Sequence, residues 1–121
     1  MIAEIVLYGL KSCDSCRRAR RWLDDHAADY RFVDIRQFTP DVATLENWCE
    51  TVGWETLLNR RSATWRELDE SLRTGLDRMS AGALAAEHPT LIKRPVLTIG
   101  RTVAVVGFDP VRYSELLAQS V

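Results

Sequence analysis

Cys13 and Cys16, three residues apart, are the residues of this chain best placed to do chemistry. A short apolar run, Ile5-Val6-Leu7-Tyr8, comes just before them, and a basic stretch with helical spacing opens on them. That order puts the pair at a strand-to-helix junction. The first amides of a helix have no intrahelical partner, and the positive end of the helix dipole lies there. A thiolate at such a position is stabilised and nucleophilic, and a second thiol one turn later can capture what it forms. The spacing therefore argues for thiol–disulfide chemistry.

Cys16 shares a helical stripe with Ala19 and Leu23 and should point inward. The expected division is an exposed, attacking Cys13 and a sheltered, resolving Cys16, able to close a Cys13–Cys16 disulfide. A helix end contributes about 0.3–1 kcal/mol to a nearby charge, which lowers a thiol pKa by roughly half to one unit. Further activation needs a cation, which Arg17, Arg18 or a distant arginine could supply, while Asp14 opposes it.

Other groups have plainer readings. Zinc needs four ligands, and beyond the pair only Cys49, His26 and His88 remain, at spacings that suit no metal, so no metal site is expected. Cys49 lies mid-stripe on an amphipathic helix and reads as a small core residue. His26 and His88 read as helix-end residues, and Trp22, Trp48, Trp54 and Trp65 as core and helix-packing residues. The run Arg17-Arg18-Ala19-Arg20-Arg21 is either a solvated helix face or an anion-attracting field beside the cysteines.

The elements around the pair follow from periodicity. Ile2 to Tyr8 reads as a strand, residues 14 to 26 as a helix, and Tyr30-Arg31-Phe32-Val33-Asp34-Ile35 as a second strand. A unit of that length is a βαβ with parallel strands. A helix follows from near Asp41, with Val42, Leu45, Trp48, Cys49 and Val52 as its stripe and Gly53 at its C-cap. Short helical pieces are expected at Trp54 to Leu58, Thr64 to Leu68 and Leu72 to Met79. Ser80 then caps a helix that His88-Pro89 ends. Val96 to Ile99, a Gly100-Arg101 turn and Thr102 to Val106 form a hairpin, and Asp109-Pro110 opens a closing helix. The fold class is α/β, with a small mixed sheet, helices on both faces and an all-helical insertion at about 40–88 of one domain spanning 1–121.

Composition limits the function classes. The chain has 121 residues, enough for one domain with a real core, and a formal net charge of −1, so no bulk field favours nucleic acid or membrane. No apolar run of membrane-spanning length and no signal-like N-terminus is present, which argues for a cytosolic protein. Three cysteines in that setting suggest reactive thiols rather than a disulfide framework.

Leu7-Tyr8-Gly9-Leu10-Lys11-Ser12-Cys13-Asp14 resembles the active-site strand and loop of the arsenate reductase/Spx/YffB family. The likeness continues through Arg18-Ala19-Arg20-Arg21-Trp22-Leu23, Gly53-Trp54-Glu55, Leu57-Leu58-Asn59 and Thr64-Trp65-Arg66-Glu67-Leu68-Asp69-Glu70. It ends with His88-Pro89-Thr90-Leu91-Ile92-Lys93-Arg94-Pro95 and Val106-Gly107-Phe108. The Gly-Trp-Glu, Thr-Trp-Arg and Ile-Lys-Arg-Pro blocks are most similar to the YffB-like branch.

The resemblance implies a thioredoxin-like fold with a helical insertion, Cys13 as the catalytic cysteine, Pro95 as a cis-proline facing it, and Arg94 as the anion-stabilising arginine. It further implies a glutathione-coupled thiol reductase, with glutathione as co-substrate rather than a bound cofactor, and Lys11, Arg61, Arg94 and Pro95 as substrate-binding residues.

Two departures bear on the reaction. Arsenate reductases of the family use three arginines around the cysteine. Here Gly107 takes the late one's position and Asn59 aligns with the middle one, leaving Arg60 or Arg61 as a displaced substitute. That weakens arsenate reduction as a reading. YffB-like proteins commonly carry one cysteine in the loop, whereas Spx-like regulators carry a Cys-x-x-Cys as a redox switch and bind RNA polymerase. The alternative to an enzyme is therefore a polymerase-binding redox sensor, although the ending Ala118-Gln119-Ser120-Val121 is not a basic Spx-like tail. No membrane partner and no direct DNA contact are expected, and a monomer is the default.

Overall fold

The computed structural model describes residues 3–119. They divide into two compact units: Met1–Asp34 with Arg94–Val121, and Ile35–Lys93. The first carries the cysteine pair.

Its centre is a four-stranded sheet, ordered β2-β1-β3-β4, formed by β1 (Ile5–Gly9), β2 (Tyr30–Asp34), β3 (Val96–Ile99) and β4 (Thr102–Val106). β1 pairs in parallel with β2 and antiparallel with β3, which forms a hairpin with β4. The sheet is thus mixed, as a βαβ followed by a hairpin requires. The expected first strand begins at Ile5, and Ile2 lies outside the described residues.

β1 alternates its side chains between the two faces. Ile5 and Leu7 join Leu97 and Val105 on one face, where they pack with Ala19 and Leu23 of α1 (Asp14–Asp25) and Tyr113 of α7 (Pro110–Gln119). Both helices of this unit therefore lie on one face of the sheet. The apolar residues of α1 and α7 are what decide it, since both sets close on the Ile5/Leu7 side. At its start α7 is held by the Asp109 carboxylate, which accepts the amides of Val111 and Arg112 at 3.1 and 3.2 Å.

The second unit is helical: α2 (Val42–Val52), α3 (Trp54–Leu57), α4 (Ala63–Glu67), α5 (Glu70–Arg73) and α6 (Arg78–Glu87), then a 3₁₀ turn at Pro89–Leu91. Asp41 caps α2 by accepting the Thr44 amide at 2.8 Å, and Gly53 ends it at φ 86°. Leu45, Trp48 and Cys49 are buried on the α2 stripe, but Val42 is 42% exposed, because the first turn carries its side chain off the buried face. The segment expected to be helical from Leu72 to Met79 breaks at Gly75, which adopts φ 67°. Asp77, not Ser80, caps α6. Ser80 sits three residues in and returns the bond, its hydroxyl accepting the Asp77 amide at 2.9 Å. An Asp with a Ser at the third helical position closes a reciprocal box one turn earlier than a lone Ser would suggest. Among the described residues no helix is long and apolar enough to cross a membrane.

Candidate functional site

The site begins with a turn. β1 ends at Gly9, and the Cys13 amide donates back to the Leu10 carbonyl at 3.2 Å, reversing the chain through Lys11 and Ser12. Cys13 then takes the N-cap position of α1 in an extended conformation, and its carbonyl accepts the Arg17 amide at 3.0 Å. This places its half-buried sulfur over the unpaired amides of the first helical turn.

Cys16, at the third position of α1, is fully buried beside Ala19 and Leu23. Its position depends on Gly9. A Cβ at residue 9 would collide with the Cys16 sulfur and stand 3.3 Å from its Cβ. The glycine gives room for a thiol beneath the end of β1. Both cysteines are free thiols in this structure.

The two sulfurs are tuned in opposite directions. Burial pushes the Cys13 thiol up, but the Cys16 amide and thiol and the Arg94 guanidinium together outweigh it, so its pKa falls below the ordinary value. Cys13 makes no close cap bond of the kind Asp41 makes, so these donors act on its sulfur as looser contacts that still favour the anion. Cys16 is pushed up to about 12, chiefly by burial and further by the neighbouring Cys13, against relief from the Leu10 amide and from Arg94. Negative charge therefore belongs on Cys13, with the Cys16 proton directed at it.

Arg94 and Pro95 enter where β3 begins, beside β1 in the sheet. The Arg94–Pro95 peptide is cis, as the resemblance implies, and the Pro95 carbonyl accepts the Gly107 amide at 2.8 Å. Gly107, at φ 85°, turns the chain so that Phe108 lies under the Arg18 guanidinium, 5.5 Å from the ring centre. The arginine run on α1 is not a bare solvated face. Arg17 pairs with Asp14 at 3.8 Å, Arg18 covers Phe108, and Arg20 covers Phe32 at 4.3 Å. The cation acting on the thiols comes from a different element, Arg94.

The structure thus brings Cys13, Cys16 and Arg94 together, with Pro95 next to Arg94 in the chain. Lys11 is exposed on the turn that leads to Cys13. Arg61 belongs to the helical unit, exposed on a turn where its amide donates to the Asn59 side chain at 3.0 Å. There Arg60 stands over the Trp54 ring at 5.6 Å. His26 ends α1, with its ring stacked on Trp22 at 3.7 Å and Nδ1 2.8 Å from the Trp22 carbonyl, and His88 ends α6. Cys49 is buried in the helical unit and pushed up to about 11 by burial and the nearby Glu46. Gly9 went unnoticed in the sequence. A glycine directly between a strand and the cysteine loop was the available signal.

Residues 8–116 match the model of the ArsC family. The chain belongs to the ArsC family. An uncharacterised protein of Haemophilus influenzae is 39% identical over 114 residues, covering 94% of this chain and 99% of that one. A solved structure of a YFFB protein superposes with a TM-score of 0.86 at 43% identity, covering 92% of this chain and 96% of the other. The global transcriptional regulator Spx 2 of Bacillus cereus is 28% identical, covering 97% of this chain and 89% of its own. The architecture is the thioredoxin-like one of this ArsC/Spx group, with the helical unit inserted between β2 and β3.

Proposed function

We propose that this ArsC-family protein is a thiol–disulfide oxidoreductase coupled to glutathione and working in a reducing compartment such as the cytosol. The observation that carries the reading is the opposed tuning of the pair: a half-buried Cys13 lowered toward thiolate, and a buried Cys16 held protonated. An attacking thiol is most effective with a pKa near ambient pH, and a sheltered partner protects the product from other thiols.

The Cys13 thiolate attacks one sulfur of a substrate disulfide. A Cys13–substrate disulfide forms and the other substrate half leaves as a thiolate, which takes a proton from solvent. Cys16 then loses its proton and attacks the Cys13 sulfur. A Cys13–Cys16 disulfide forms, and the second substrate half leaves. Two glutathione molecules return the pair to thiols and become glutathione disulfide. Arg94 stabilises the Cys13 thiolate and, with Lys11, serves the carboxylates of glutathione. Pro95 shapes the wall beside Cys13.

Glutathione-dependent turnover of a small mixed disulfide tests this. Cys13→Ser should abolish turnover, and Cys16→Ser should leave a slower activity resolved by glutathione itself. An active Cys13→Ser variant would sink the assignment. Arg61→Ala belongs in the same assay, where a raised KM for glutathione would make Arg61 a carboxylate partner.

A second reading rests on the Cys-x-x-Cys pair together with a relative that is a transcriptional regulator. Under it, closure of Cys13–Cys16 switches binding to RNA polymerase and nothing is turned over. A redox-dependent complex in a polymerase pull-down, without glutathione-dependent turnover, would favour it. Arsenate turnover that depends on Arg94 would instead favour arsenate reduction.

A further inference from the structure

The strand registers bring separate chain segments to one end of the sheet. Tyr8 pairs with Val96, and Val96 with Val106. The loop 10–13 leaves β1 at that end, Arg94 and Pro95 enter β3 there, and Gly107 and Phe108 leave β4 there. Gly107 is tied in place by its amide, which donates to the Pro95 carbonyl at 2.8 Å. A Cβ at residue 107 would meet nothing within 4 Å, so the space between Pro95 and Phe108 is open. Phe108 bounds that space. Its ring is set edge-on against Tyr113 at 5.3 Å, and the Arg18 guanidinium lies over it at 5.5 Å. Arg20 covers Phe32 on β2, at the opposite edge of the sheet. Arg18 is thus directed to the Pro95 side. A ring contact of this kind uses the charge of the guanidinium and leaves N–H donors for a second partner. Nearby carboxylates are engaged elsewhere: Asp14 pairs with Arg17 at 3.8 Å, and Asp109 accepts the amides that open α7. Arg18 itself is exposed, and among the described residues no carboxylate pairs with it.

We propose that Arg18, held on Phe108, is a specificity-determining residue that binds a carboxylate of the substrate reacting at Cys13. The proposal rests on the reading of the protein as a thiol–disulfide oxidoreductase, and it names the substrate class: acidic thiols and their disulfides, with a carboxylate a few bonds from the sulfur. β3 separates β1 from β4, so the strand that ends at Phe108 lies about 10 Å from the strand that leads to Cys13. An extended tripeptide spans at most about 10 Å. A thiol peptide joined by its sulfur to Cys13 and laid past Pro95 over Gly107 therefore brings a terminal carboxylate to the Arg18 guanidinium. The planar fork then donates two parallel hydrogen bonds to it. Arg94 serves the thiolate, and Arg18 reads the far end of the substrate. An uncharged disulfide reacts at the same sulfur and gains nothing from Arg18.

Glutathione disulfide, which carries carboxylates at both ends, and 2-hydroxyethyl disulfide, which carries none, separate these cases. The reduced protein is mixed with an excess of each, and its oxidation is followed by acid quench and mass. The Cys13 thiolate attacks one sulfur, and one substrate half leaves as a thiolate that takes a proton from solvent. Cys16 loses its proton and closes on Cys13, releasing the other half. The cysteine pair is oxidised, and the added disulfide is reduced to thiols. The preference, taken as the ratio of the two second-order rates, should fall about five-fold in Arg18→Gln, since a well-placed exposed ion pair is worth about that much. Arg18→Lys keeps the charge and should recover part of the loss. An unchanged preference in Arg18→Gln, whether both rates fall together or neither moves, overturns the proposal. If Cys13→Ser still abolishes both reactions, the oxidoreductase reading stands. A preference lost in Arg18→Gln and not recovered at all in Arg18→Lys also overturns the proposal, because charge is then not what is read. Wild-type protein oxidised by neither disulfide would bring down the oxidoreductase reading itself, and the proposal with it.

Discussion

Arg94 adds to the lowering of the Cys13 thiol that the Cys16 amide and thiol begin, because the helix start alone supplies only part of the field. Its guanidinium acts on the Cys13 sulfur both as a donor and as a charge. Arg94→Gln keeps a donor and removes the charge, so the pH midpoint of Cys13 alkylation by iodoacetamide should rise by roughly half to one unit, with about three- to ten-fold slower alkylation at neutral pH. Gly9 matters for a steric reason. Gly9→Ala drives a methyl into the Cys16 sulfur and Cβ, and overpacking of that kind costs typically about 1–3 kcal/mol. Urea denaturation should show the loss, and closure of the Cys13–Cys16 disulfide should slow as Cys16 is displaced. The cysteine pair and its helix start were legible in the sequence, since both depend on near neighbours in the chain. Gly9 was not, since a sulfur seven residues on defines what it does.

At the scale of elements, local signals placed most boundaries and missed where two competed. Asp41, Gly53, His26, Asp109 and Pro110 stand at the helix ends their types suggest. Ser80 alone reads as a cap, but Asp77 three residues earlier accepts its amide and takes the role. Asp77→Ala should cost about 1 kcal/mol, measured by the urea midpoint, as loss of such a cap does. The end of α1 offers the reverse test. Ala27 is held at φ 52°, with the Ala28 amide bonded back to the Leu23 carbonyl at 2.9 Å. A glycine meets no steric penalty there, so Ala27→Gly should stabilise the protein by about 0.5–1 kcal/mol in the same measurement.

At the scale of the whole molecule, the buried thiols give stability a dependence on alkaline pH. Cys16 and Cys49 titrate at about 12 and about 11 in the folded protein, against an ordinary 9.0. The native state keeps these protons longer than the unfolded chain. Their contribution is therefore complete below about pH 9 and is lost as pH rises through the folded values. Cys13 is lowered, so its contribution has the opposite sign: present above its unfolded value, and lost as pH falls through the folded one. The urea midpoint should fall steadily above about pH 9, and Cys49→Val should remove part of that fall without touching the cysteine pair.

Read alone, the sequence determined the place of the cysteine pair at a helix start, the parallel pair, the hairpin and the helical insertion, because each is written in spacing and periodicity over a few residues. Residue likeness carried the family and the cis bond before Pro95. Tertiary structure decided which arginine serves the thiolate. Four arginines lie within eight residues of Cys13 along the chain, yet Arg17, Arg18 and Arg20 are engaged with Asp14, Phe108 and Phe32. Arg94 reaches the sulfur because β3 pairs with β1. It also decided that Cys16 is buried and held protonated, since packing between distant segments sets its burial.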